Sequence, residues 1–186
     1  MSALPLHCNP DHPEALESIL RQVGEGDGQA FERLYRRMSP RVYRYLASRE
    51  LSKEVVEEAL QDTFLAVWRD ARAFCEGSTT AWIFGIARHK RADAWKQQPR
   101  ISVQSVEADG WDVTPDPKSE SEYLAVEMRA ILAEWSSSDR ELAHLVFVEA
   151  LSYREVAQVL GIPIGTVKSR VARIRRHWQE EALEDV

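Results

Sequence analysis

The chain has 186 residues, 44% of them apolar, and a formal net charge of -6, enough for one large packed unit or two small helical ones. No run approaches about 18 consecutive apolar residues and no basic start leads into an apolar stretch, so neither a membrane span nor a signal peptide is indicated and a cytoplasmic protein is expected. Two cysteines, Cys8 and Cys75, are too few for a disulfide framework, and His7, Cys8 and His12 on one short segment make weak metal ligands, so no metal and no cofactor are expected.

The acidity is unevenly spread. Residues 30–100 carry 14 Lys/Arg against 9 Asp/Glu, whereas residues 101–127 carry Lys118 alone against seven acids. Basic modules inside a net-acidic chain bind free DNA poorly, because counterion release at the patches is opposed by repulsion from the rest.

In chain order, residues 1–13 hold three prolines and read as a disordered leader. A first helix is predicted from about Glu14 to Val23, with Leu16, Ile19, Leu20 and Val23 on one side, followed by a GEGDG loop in which Asp27 caps the next helix. That helix keeps the 3.6 period through Ala30, Phe31, Leu34, Tyr35, Met38, Val42, Tyr45 and Leu46 and points Arg33, Arg36, Arg37, Arg41 and Arg44 away. Pro40 falls inside it, predicting a kink near Met38 or a fresh start capped by Ser39. A third helix from Ser52 to about Ala73 has a core stripe of Val56, Leu60, Phe64, Val67 and Ala71. Leu65 and Trp68 lie off that stripe beside Gln61, Asp62 and Arg69, which fits either a wide core face or a docking surface for another protein.

Phe74 to Thr80 is a short loop, with Thr79 or Thr80 as the cap of a fourth helix that ends before Pro99. In this helix Ile83, Ile86, Ala87 and Ala94 supply a core edge, while Trp82, Phe84, His89 and Trp95 interleave with Arg88, Lys90, Arg91 and Lys96. A tryptophan at helical spacing is often core. Aromatic rings that stack on unpaired bases among cations that follow phosphates are also the chemistry of single-stranded nucleic-acid binding. Residues 97–120 lose the helical period, gain prolines and acids, and read as a flexible acidic linker. Beyond it come a helix bearing Tyr123, Leu124, Met128, Ile131 and Leu132, and a WSSSD loop with Ser138 as cap. A further helix follows, with Leu142, Leu145, Val146 and Val148.

The most informative stretch is Ser152 to Trp178. Ser152 and Glu155 have the spacing of a capping box, Val156, Val159 and Leu160 follow at helical spacing, and Gly161 and Pro163 interrupt. Pro163 can open a second helix, in which Val167, Val171, Ile174 and Trp178 form the buried stripe. Thr166, Ser169, Arg173 and Arg176 lie opposite, flanked by Lys168, Arg170 and Arg175. This is a helix-turn-helix pattern. Its second helix would present Gly165, Thr166, Lys168, Ser169 and Arg170 to base edges in the major groove and Arg173, Arg175 and Arg176 to phosphates. A solvated basic helix in an ordinary bundle is the other reading, weakened by so long a run without acids. The expected fold is all-α: two small helical domains joined by the acidic linker, the second containing the helix-turn-helix.

Four stretches, GDGQAFERLYRR, VVEEALQDTFLAVWRDARAF, TTAWIFGIARHKRADAW and LSYREVAQVLGIPIGTVKSRVARIRR, in this order closely resemble the bacterial sigma-70 family, in its two-domain extracytoplasmic-function (ECF) group. The resemblance covers nearly the whole chain after residue 13. It implies a region 2 domain over residues 14–96, the linker over 97–120 and a region 4 domain over 121–183. It further implies that Gln61, Asp62, Leu65 and Trp68 contact the polymerase beta-prime clamp. Phe74, Trp82, Ile86 and His89, with Arg88, Lys90, Arg91 and Lys96, would recognise and melt the minus-10 sequence and hold a flipped base. Many relatives have Asn at the position of His89, which bears on the preferred base. Residues 165–176 would read the minus-35 sequence. The implied partners are core RNA polymerase, through its beta-prime and beta subunits, promoter DNA and an anti-sigma factor. A monomer is implied for the free chain.

No Gly-rich phosphate loop, zinc set or nucleophile with its base stands out, so binding rather than catalysis is expected. The alternative classes are a stand-alone helix-turn-helix regulator, which has no use for the aromatic-basic helix, and an enzyme acting on nucleic acid.

Overall fold

The structure, a computed structural model, describes residues 15–48, 51–97 and 135–184. The leader with its His7, Cys8 and His12 cluster, nearly all of the acidic linker and the helix expected around Tyr123 to Leu132 lie outside the described residues. Among the described residues all regular structure is helical and no strand occurs.

Helix α1, Leu16–Gly24, buries Ile19, Leu20 and Val23. Its end approaches the following elements closely: a Cβ on Gly24 would sit 3.1 Å from the backbone of Arg72. Helix α2, Gly28–Ala47, starts where Asp27 accepts from the amides of Gln29 and Ala30 at 2.8 and 3.1 Å. It runs unbroken through Pro40, and no new helix starts at Ser39. Leu34 and Met38 before the proline and Val42, Tyr45 and Leu46 after it are all fully buried. Burial on both sides holds the helical course although the proline removes one ladder bond.

Helix α3, Lys53–Asp70, is capped by Ser52 and continues into a 3-10 turn at Ala71–Ala73. Helix α4, Thr79–Gln97, packs along α3 and against α2. Its cap is Ser78 rather than Thr79 or Thr80: the Ser78 hydroxyl accepts from the Ala81 amide at 3.2 Å, and its carbonyl accepts from the Trp82 amide at 2.9 Å.

In the second unit, α5 spans Ser137–Ala143 and widens into a π turn at His144–Val148. Ser136, not Ser138, caps it, accepting from the Asp139 amide at 3.2 Å. Helix α6, Tyr153–Leu160, begins at a complete capping box, with the Ser152 amide donating to Glu155 at 2.8 Å and the Glu155 amide donating to the Ser152 hydroxyl at 3.3 Å. It ends at Gly161, whose φ of 66° and ψ of 34° form the left-handed corner that glycine tolerates. Helix α7, Ile164–Glu184, begins after Pro163, whose carbonyl takes the first amide bonds from Thr166 and Val167.

The two units do not stand apart. Helix α6 packs along α4 on one side and against α7 on the other, and the buried residues of both units form one continuous apolar cluster. This explains why Phe84, which alternates with cations in the sequence, is completely buried and packs edge-on against Tyr45 at 5.3 Å. Helix α4 is covered on two sides, so residues outside its first core edge are buried as well.

Candidate nucleic-acid interface

The helix-turn-helix has opposite chemistry on the two faces of α7. Val167, Val171 and Ile174 are buried, whereas Lys168, Ser169, Arg173, Arg175 and Arg176 are exposed, as is Gly165, and Thr166 and Arg170 are partly so. The basic side chains are partly engaged within the unit. Arg173 pairs with Asp139 at 2.7 Å, Arg170 lies 3.9 Å from the same carboxylate, and the Arg175 guanidinium sits 5.8 Å from the Phe147 ring centre. Asp139 thereby orients two cations over the face that the groove-binding geometry would present to a duplex. Behind them Trp178 is held between Phe147 at 4.6 Å and Trp135 at 5.9 Å, an aromatic cluster that anchors α7 to α5.

The loop after α3 and the start of α4 bring Phe74 and Trp82 together, with ring centres 5.2 Å apart. Both are half-buried, as is Ile86, one turn further along α4. His89 is exposed and its Nδ1 lies 2.7 Å from the Gly85 carbonyl, which it can serve as donor. Lys90 pairs with Asp62 at 3.2 Å and Lys96 with Asp93 at 3.4 Å. The other two cations of this set are directed at Glu141 of the second unit. Arg91 is buried against Glu141 of α5, stacks 4.1 Å over the Tyr45 ring and donates to the Tyr45 hydroxyl at 2.9 Å. The Arg88 guanidinium lies 3.3 Å from the same Glu141. Burial pushes the Tyr45 hydroxyl pKa far above its ordinary range, so this phenol stays a neutral donor to Glu141 at 2.6 Å.

A second inter-unit cluster forms around Glu149. Arg41 donates to its carboxylate at 2.9 Å and to its backbone carbonyl at 2.7 Å, while Arg44 lies at 3.3 Å and His144 at 3.5 Å. Burial raises the Glu149 pKa, but the bonds from His144 and Arg41 and the charges of Arg44 and Arg41 outweigh it and hold the carboxyl below its ordinary value. Glu155 behaves alike: burial raises it, and its bonds from Ser78 and Ser152 with the Arg41 charge prevail. Ser78, Glu141 and Glu149 are not singled out by the sequence pattern, and Tyr45 is read only as a core position of α2, because each finds a polar partner in the other unit.

Helix α3 presents Leu65, 65% exposed, and Trp68, 41% exposed, next to Gln61 and Asp62, which are also exposed. Phe31 supports Trp68 edge-on at 5.2 Å, so the indole is positioned rather than loose. Exposed apolar groups of this size with a polar border suit contact with another protein.

Fold and site together define a two-unit helical DNA-binding protein with a helix-turn-helix and a separate apolar contact patch. Residues 34–101 match the family model for Sigma-70 region 2 and residues 127–177 that for Sigma-70, region 4. The ECF RNA polymerase sigma factor SigK of Mycobacterium sp. (strain KMS) is 31% identical over 163 residues, covering 84% of this chain and 84% of its own length. The sigma factor RpoE of Bartonella quintana, solved in complex with the anti-sigma factor NepR, superposes with a TM-score of 0.61 at 25% identity, covering 81% of this chain and 94% of that one. CnrH, solved with the cytosolic domain of CnrY, shares the fold with a TM-score of 0.66 at 21% identity, over 91% of this chain and 98% of that one. The chain belongs to the ECF sigma factors of the sigma-70 family.

Proposed function

We propose that this chain docks on core RNA polymerase through Gln61, Asp62, Leu65 and Trp68, reads an upstream minus-35 element through α7 and captures a minus-10 element through the loop before α4 and its first turns. The observation that carries this reading is the combination, in one chain, of an exposed basic face on α7, to which residues 164–179 of the helix contribute no acid, and an exposed Leu65 and Trp68 patch on a different unit. Polymerase docking would fix the spacing of the two DNA contacts, so that the second becomes effectively intramolecular. Stacking of an extruded base beside Phe74 and Trp82 would offset an unstacking cost of a few kcal/mol. The protein acts by linked binding, and RNA synthesis belongs to the polymerase. A cytoplasmic site of action, where core polymerase works, is part of this reading; among the described residues no helix is long and apolar enough to cross a membrane. An anti-sigma factor that covers the polymerase-binding surface is the expected regulator, in line with the relative solved with NepR. Region 2 over residues 14–96, the linker over 97–120 and region 4 over 121–183 are the proposed divisions.

The test is retention of a labelled promoter pool by the full chain with and without bacterial core polymerase, followed by sequencing of what is retained. Enrichment of paired hexamers only when core is present is the expected result. Specific duplex retention by the chain alone, unchanged by core, would replace this reading with a stand-alone regulator.

A further inference from the structure

Asp139, in the first turn of α5, reaches across to the reading face of α7. Its Oδ2 accepts from Arg173 at 2.7 Å and from the Ser136 hydroxyl at 2.7 Å, and its Oδ1 lies 3.9 Å from Arg170. Among the described residues the ion pairs made by the arginines of α7 both end on this one carboxylate. Arg170 is held a second time, by a bond to the Ser138 hydroxyl at 3.4 Å. The pair is lopsided: the Asp139 side chain is 13% exposed and that of Arg173 is 65% exposed. Among the described residues nothing donates a hydrogen bond to the buried Oδ1. A groove of about 520 Å³, walled by Trp135, Asp139, Arg173, Arg176 and His177, lies beside the pair.

We infer that Asp139 is a positioning residue for promoter specificity: it holds Arg170 and Arg173 where a matched minus-35 element needs them and withholds them from the phosphates of unmatched DNA. The inference rests on the proposed function and deepens it at the same face. Two effects combine. An arginine that swings freely can follow phosphates on any sequence, and that sequence-independent attraction is the source of non-specific binding. A cation that already has an anionic partner contributes less to it, and a phosphate drawn into the groove meets the Asp139 charge beside that of Arg173. The second effect is entropic. Ordering a long side chain on binding costs freedom, and a guanidinium fixed beforehand loses less of it. That advantage exists only where the fixed position matches the DNA, because base contacts demand one geometry whereas phosphates recur along every duplex. The carboxylate therefore lowers affinity for unmatched duplex more than for the matched element.

The burial of Asp139 makes the hold effective. An exposed ion pair between two mobile side chains contributes little. Here one partner is already fixed, by its place on α5 and its bond from Ser136, so only the arginines have freedom to lose. Oδ1, without a hydrogen bond, is balanced by the Arg170 charge alone. Asparagine at this position keeps the size and the Ser136 contact while removing the charge, which separates the effect from folding.

The test compares the parent with Asp139→Asn, and Arg173→Ala with the double variant, as full chains with core polymerase. Affinity is measured against salt for a duplex carrying the minus-35 element enriched from the promoter pool and for a scrambled duplex, with binding by core alone subtracted. In Asp139→Asn the preference for the matched duplex should fall by about 10-fold, mainly through tighter scrambled binding. The salt slope on scrambled DNA should steepen by up to about 1. In the Arg173→Ala background most of this change should vanish. An unchanged preference in Asp139→Asn would overturn the role. So would an equal fall with and without Arg173, which would trace the effect to net charge or packing instead of the pair. A second readout uses the free chain. The Arg173 guanidinium resonances, assigned by their loss in Arg173→Ala, should show slow rotation about the Nε–Cζ bond in the parent and fast rotation in Asp139→Asn. Fast rotation in the parent would overturn the hold itself. Slow rotation in a parent that shows no core-dependent promoter preference would instead overturn the proposed function, and the role in specificity with it, while the hold stands.

Discussion

Gly161 carries the corner of the helix-turn-helix alone: its left-handed backbone is strained for any residue with a Cβ, although no atom lies near enough to clash with one. Gly161→Ala should lower stability by about 1 kcal/mol, read as a lower urea midpoint with an unchanged slope. At Arg173 the prediction is electrostatic. Arg173→Ala should weaken upstream duplex binding across sequences and reduce the magnitude of the salt-dependence slope by about 1, measured as affinity against salt with core present. Its pairing with Asp139 means that part of the guanidinium's attraction is already satisfied within the protein, which limits the loss. Trp82→Ala should instead leave polymerase binding intact and slow strand opening, followed with a base-analogue fluorophore in the minus-10 element. Equal loss of polymerase binding in both variants would contradict this division.

At the scale of elements, α3 divides its two apolar faces between interior and contact. Phe64 and Val67 are buried, and Leu65 between them in sequence stands clear of the core. Leu65→Asp should therefore weaken polymerase binding by about 10-fold or more, typical of a contact anchor, while leaving the thermal midpoint within about 1 °C of the parent. Helix starts show which local signals are sufficient. Asp27 and Ser152 cap as their spacing predicts, because each is the one good cap before an unambiguous apolar repeat, and Ser52, read as the first residue of the third helix, serves as its cap. Ser78 and Ser136 cap where Thr79 or Thr80 and Ser138 are expected, because a run of hydroxyl residues offers several equivalent caps. The choice falls to the packing of α4 and α5. Pro40 is the converse case: its local signal for a break is overridden by the buried residues on either side.

For the whole molecule, the ionic seam between the units predicts an acid response. The carboxyls of Glu149 and Glu155 titrate below their ordinary value of 4.5 in the packed structure, so each contributes stability above that value and loses it as the pH falls through its lowered one. The packed arrangement should hold near neutrality and loosen on acidification below about pH 4.5. Glu149→Gln should flatten that dependence, measured as the thermal midpoint against pH. A midpoint that falls equally with acid in parent and variant would remove Glu149 from the account.

What the sequence determined by itself is local. Helix positions, the helix-turn-helix, the basic face of α7 and the off-stripe placement of Leu65 and Trp68 follow from a repeat of 3.6 residues read over one or two turns, with capping chemistry at the ends. The tertiary structure decided which polar faces remain free. Nothing within a turn of Arg91 indicates that its guanidinium is buried between Tyr45 and Glu141, or that Arg41 closes on Glu149 from 108 positions away. An arginine on a helix face has the same local pattern whether it meets water, phosphate or a distant carboxylate. The partner is chosen by packing, because burying a charge is costly unless an opposite charge is brought to it.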